Sequence, residues 1–86
     1  MIPLKQFLRQ LPKAEAESFA HNCDTPLYYL KLISTRYRAP GRHLAALLQL
    51  HSKGEVSAKE FHPEMQDEEI KAYWKLPRVK RNKGQR

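Results

Sequence analysis

The sequence predicts an all-α fold. Three observations carry that expectation. Apolar residues recur at i, i+3, i+4 and i+7, prolines stand at the edges of those stretches, and three glycines with few runs of Val, Ile or Thr leave little from which to build strands. At 86 residues there is one domain at most, plus a tail. A chain this short buries only about 60% of its unfolded surface, so association with a second copy would add stability.

The first helix is expected from Pro3 to Leu11, with Leu4, Phe7, Leu8 and Leu11 forming an amphipathic stripe that Pro12 ends. Lys13 to Asn22 is the second, with Glu15 and Glu17 in its first turns, where carboxylates suit the positive end of the helix dipole. The stretch from Ala16 to Thr35, AESFAHNCDTPLYYLKLIST, then organises the rest. Phe19 and the small Ala20 allow close helix contact, and Cys23 closes the helix against the core. Asp24 occupies a turn position where a left-handed backbone is required, which Asp tolerates better than most residues. Thr25 is the expected N-cap of a third helix, with Pro26 as its first helical residue and Ser34 near its end. On that helix Leu27, Leu30 and Ile33 share an inward stripe, while Tyr28, Lys31 and Thr35 share another face with Leu32 beside it. Two helices joined by a tight turn, the second presented outward, form the helix-turn-helix pattern that places a recognition helix in the DNA major groove.

Thr35 to Gly41 reads as a loop in which Arg36 and Arg38 flank Tyr37, a set suited to phosphate oxygens. Arg42 to Ser52 is a fourth helix with Leu44, Leu47 and Leu48 on one side, His51 a further candidate for it, and Ala45 and Ala46 permitting close approach; Lys53-Gly54 ends it. Ser57 and Glu60 make a capping box, so a short fifth helix is expected there, carrying Phe61 inward until Pro63 stops it. These elements place a helix-turn-helix domain over residues 1–65. Residues 66–77 are expected to add a C-terminal helix, with Asp67, Glu68 and Glu69 at its start and Ile70, Tyr73 and Trp74 on one face. That face is the expected dimer or partner contact. Residues 78–86 carry five cations and no acid, the composition of a disordered basic arm that adds salt-sensitive affinity for nucleic acid.

A net charge of +7 favours a polyanionic partner. With a single Cys, no signal-peptide pattern and no run long enough to span a bilayer, a cytoplasmic location with no membrane role is expected. His21 and Cys23 lack the further ligands that a zinc site needs, and His43, His51 and His62 are scattered. No glycine-rich phosphate loop, nucleophile–base pair or paired carboxylate in an apolar setting is present, so no metal, no cofactor and no enzymatic activity are expected.

Three pieces in order resemble a known family: PLKQFLRQLP at the start, ESFAHNCDTPLYYLKLIS in the middle and GEVSAKEFHPEM at the close, covering Leu4 to about Met65. They resemble the small Cro-type helix-turn-helix regulators of phages and prophages, and more closely their YdaS-like branch. The resemblance implies a compact five-helix bundle of the lambda-repressor/Cro kind that binds a double-stranded operator, usually as a homodimer on an inverted repeat. Ala20 matches the family's small residue, and Leu30 and Ile33 its buried positions. Pro26, Leu27, Tyr28, Lys31, Leu32 and Thr35 match positions that face the groove, although the residue spacing assigns Leu27 to the core. Asp24 stands where the family usually has Gly, and His62 where it often has Arg.

The expected function is therefore a sequence-specific DNA-binding regulator. Pro26, Tyr28, Lys31, Leu32 and Thr35 are the expected base contacts, and Thr25, Arg36, Tyr37 and Arg38 the expected phosphate contacts. The rival expectations are an antitoxin-like protein that uses residues 66–76 to bind a toxin, and a non-specific nucleic-acid binder driven by its tail.

Overall fold

The proline-bounded segments form helices: those expected from Pro3 and Pro26 each begin one residue later, while the second begins at Lys13 as the spacing predicts. The computed structural model describes residues 2–76. In it α1 spans Leu4–Arg9, α2 Lys13–Asn22, α3 Leu27–Ser34, α4 Arg42–His51 and α5 Asp67–Lys75, with a single 3₁₀ turn at Ala58–Glu60. The chain is all-α among the described residues; the basic arm expected over 78–86 lies outside them.

Pro3, Pro12 and Pro26 sit just outside α1, α2 and α3 with extended backbone, at ψ 153°, 157° and 152°. Their ring fixes φ and leaves no N–H to satisfy, so each starts a helix without a side-chain cap. Pro26 is thus the boundary residue and Thr25 is not the N-cap of α3. The Thr25 N–H donates instead to Ala20 O at 3.0 Å and closes α2.

That closure is repeated. At the end of α2, Asp24 N–H reaches His21 O and Thr25 N–H reaches Ala20 O; at the end of α3, Arg36 N–H reaches Ile33 O and Tyr37 N–H reaches Leu32 O; at the end of α4, Lys53 N–H reaches Leu50 O and Gly54 N–H reaches Gln49 O. Each is a Schellman motif, which needs a left-handed residue just past the helix. Asp24, Arg36 and Lys53 hold it at φ 62°, 71° and 57°. Left-handed backbone costs an L-residue about 1–2 kcal/mol, partly offset in a Gly variant by the greater freedom of its unfolded chain. Lys53→Gly should therefore raise stability by about 0.5–1 kcal/mol, read as a higher urea midpoint with unchanged slope.

The expected fifth helix shortens to the 3₁₀ turn because its capping box is only half made. Ser57 Oγ accepts from Lys59 N–H at 3.1 Å, but the Glu60 carboxylate turns to Leu4 N–H at the start of α1, at 3.4 Å. Gln49 Oε1 accepts from Ala58 N–H and Ser52 Oγ from Val56 N–H, at 2.9 and 3.0 Å. With Ile2 N–H on Glu55 O at 2.8 Å, these bonds pin residues 55–60 between α1 and α4.

The main core gathers Leu4 of α1, Phe19, Ala20 and Cys23 of the α2 end, Leu30 and Ile33 of α3, Leu44, Leu47 and Leu48 of α4, and Val56. Phe7 and Phe19 meet edge to face with ring centres 5.0 Å apart. A second cluster of Ala45, Ala46, Ala58, Met65 and Ile70 joins α4 to α5, with Phe61, Tyr73 and Trp74 packed against it. This packing takes Ile70 out of the expected dimer contact and leaves Tyr73 and Trp74 half-buried. Ile70, Tyr73 and Trp74 do share a face, but Ile70 is 1% exposed and the Trp74 indole N–H donates to Ala46 O at 2.8 Å. Tyr73 stacks on His43 with ring centres 5.2 Å apart. The small surface of Ala45 and Ala46 admits these bulky side chains, so α5 packs within its own chain.

Arg42, the first residue of α4, ties the same segment down by donating to Glu69 at 2.7 Å and to Glu64 at 2.8 Å. The hydrogen bond to Glu69 is the main reason its guanidinium titrates above its usual range. At the other end of the helix, burial lowers the His51 imidazole below its usual 6.5. The folded state therefore binds that proton less readily than the unfolded chain, and its contribution to stability is complete above pH 6.5 and lost as pH falls. His51→Gln should flatten the fall in unfolding midpoint between about pH 7.5 and 5.5. Glu64, held low by its own backbone N–H and by Arg42, stays ionised over that window and does not contribute to the slope.

Candidate nucleic-acid interface

The outward face of α3 follows from its inward one. Leu30 and Ile33 are 0% and 2% exposed, and Leu27 and Tyr29 pack partly buried against the same core. At 3.6 residues per turn this turns Tyr28, Lys31 and Thr35 to the opposite side, where all three are exposed, Tyr28 by 68%. Pro26 is exposed at the start of this face, while Leu32 and Thr25 are half-buried at its margins. Leu27 lies on the core side, as its spacing predicts.

Thr35 has a defined polarity. Its hydroxyl lies 3.1 Å from Lys31 O and 3.2 Å from Leu32 O, so its proton is donated back into the helix. The lone pairs remain available, so Thr35 can accept from an amino group without giving up these bonds. Lys31 is the complementary element, a cation with three donors.

Past the helix, the Schellman turn folds the loop back over its end. Tyr37 and Arg38 both direct their N–H groups to Leu32 O, at 2.9 and 3.3 Å. Arg36, Tyr37 and Arg38 are exposed, Tyr37 by 75%. The far end of the loop is anchored: Pro40 is buried, and His62 Nε2–H donates to Pro40 O at 2.7 Å while Glu64 lies 3.4 Å from His62 Nδ1. The C-terminal segment thus holds the loop that carries the two arginines.

Three cations missed by the sequence reading join this surface. Lys5 and Arg9 of α1 and Lys13 of α2 line a cleft with Lys31, Ser34 and Thr35, over a floor of Leu8, Leu11, Ala16 and Leu27. No carboxylate lines it. A smaller neighbour shares Lys5, Ser34 and Thr35 and adds Pro3, Arg36 and Glu60, so the cationic surface runs on towards the exit of α3. The signal for two of them was present: Lys5 and Arg9 stand four apart, each one residue after Leu4 and Leu8 of the buried stripe. Their meeting with α3 depends on packing and is not local.

Among the described residues no three His, Cys, Asp or Glu side chains gather as a metal site, and no helix is long and apolar enough to cross a membrane. Comparison with family models, curated proteins and solved structures finds no match. The chemistry of these side chains is then the guide to their partner. An exposed lysine, threonine and tyrosine on one helix face, with cations beside and beyond them, match a polyanion whose edges carry donors and acceptors.

Proposed function

We propose that the protein is a sequence-specific DNA-binding transcriptional regulator of the Cro type, of phage or prophage origin, which lays α3 in the major groove. The observation that carries this is the outward face of α3, where Tyr28, Lys31 and Thr35 are exposed together beside Lys5, Arg9 and Lys13. In this reading Lys31 donates to guanine O6 or N7, and Thr35 accepts from the amino group of adenine or cytosine. Arg36, Tyr37 and Arg38 hold phosphates at one end of the helix, and Lys5, Arg9 and Lys13 at its side, fixing the register. Two copies on an inverted repeat would set their recognition helices about 34 Å apart. Their contact would lie away from Ile70, Tyr73 and Trp74.

Arg36 adds a stability cost that binding can offset. Arg36→Gly should relieve the left-handed strain and raise the unfolding midpoint, as at Lys53, while weakening duplex binding by the loss of a phosphate contact. Urea melts and gel shifts on one preparation check both signs.

The antitoxin reading places its toxin contact on residues 66–76, a segment whose apolar face packs on α4. A footprint on the DNA flanking the protein's own gene tests the proposal: one protected block, or two related by symmetry, at protein concentrations that leave unrelated duplex uncovered. Uniform coverage of all duplexes would favour the non-specific binder instead.

A further inference from the structure

The cleft between α1, α2 and α3 has a feature that a DNA backbone does not require. Its volume is about 530 Å³, within the range of small-molecule sites, and its floor is aliphatic: Leu8, Leu11 and Leu27 are only half-buried and Ala16 lies between them. Lys5, Arg9, Lys13 and Lys31 stand around that floor, and none of the four forms an ion pair among the described residues. Phosphates need the cations but have no use for the leucines. An occupant that uses both has an apolar body and one anionic end.

We propose that this cleft binds a small amphiphilic carboxylate, its hydrocarbon part on the leucine floor and its carboxylate among Arg9 and the lysines, and that the bound molecule excludes DNA. A planar carboxylate suits the guanidinium fork of Arg9, which can grip both oxygens. The bound anion would engage the Lys31 ammonium and cover Thr35, two of the three side chains on the proposed groove face. The exclusion half rests on the DNA-binding reading; the binding half does not.

Octanoate is the probe, titrated into the isotope-labelled full chain while amide shifts are followed, with acetate and octan-1-ol as the headgroup and the chain alone. The expected result is saturable movement of Leu8, Leu11, Ala16 and Leu27 with octanoate that neither control reproduces. Affinity should fall about tenfold or more in the Arg9→Gln, Lys31→Gln double variant, both substitutions lying at exposed positions. Equal shifts with acetate would mean an adventitious anion only, and equal shifts with octan-1-ol a merely apolar patch; either overturns the proposal, as does the absence of saturable movement. Saturating octanoate should then release a duplex that the free protein binds. A complex holding both ligands would overturn the exclusion and leave the site standing. A free protein that binds no duplex would sink the DNA reading and the exclusion together, with the titration still deciding the site.

Discussion

Truncation after Met65 should cost the protein most of its stability rather than convert a dimer to a monomer. Ile70 is buried in the second cluster, and Trp74 fills the surface over Ala45 and Ala46 while its indole N–H satisfies Ala46 O. Ile70→Ala alone should cost about 2–5 kcal/mol and Trp74→Ala about 3–5 kcal/mol, since the alanines beneath cannot expand into the space. A domain of this size has only about 5–15 kcal/mol in total and belongs near the lower end. Removal of the whole segment also strips the Arg42 pair with Glu69 and uncovers Met65. Urea unfolding of the truncated and substituted chains, with sedimentation on the same samples, checks this. An unchanged midpoint together with a halved mass would restore the interface role first assigned to this helix.

Lys31→Ala and Arg38→Ala should separate reading from gripping. Lys31 stands on the exposed face of α3, so its loss should cost about 1–3 kcal/mol of binding and flatten preference at the one or two base pairs it addresses. Arg38 lies in the loop beyond the helix and should weaken all duplexes alike, lowering the salt slope by about one. Binding curves at several salt concentrations on the preferred duplex and on single-base variants give both quantities. Equal loss of specificity in the two variants would undo the division of roles.

The helices were legible where their signals are local. Pro12 and the acids after it place α2 at Lys13–Asn22, and the left-handed Asp24 follows from a turn that leaves no room for another conformation. The end of α4 at Lys53-Gly54 was legible from its glycine, although Lys53 is left-handed as well; the closure at Arg36 was not, because no glycine stands there to announce it. The 3₁₀ turn replaced a helix because Glu60 bonds to a residue 56 positions away, which no window along the chain contains. The same limit hid the inward face of α5: its apolar spacing is plain, but that Ala45 and Ala46 would receive it depends on two helices meeting. At the candidate site, the outward face of α3 could be counted from Leu30 and Ile33. The cations of α1 and α2 could not be placed beside it until the bundle was assembled.

The central claim is that the outward face of α3 reads a duplex. Its most direct test is to select duplexes from a random pool and then follow the amide shifts of the labelled protein as the selected sequence is added. The prediction is a defined consensus, with the largest shifts at Tyr28, Lys31 and Thr35 and smaller ones through Arg36–Arg38. A pool that returns no enriched sequence, or shifts gathered on residues 64–76 with α3 unmoved, would contradict it.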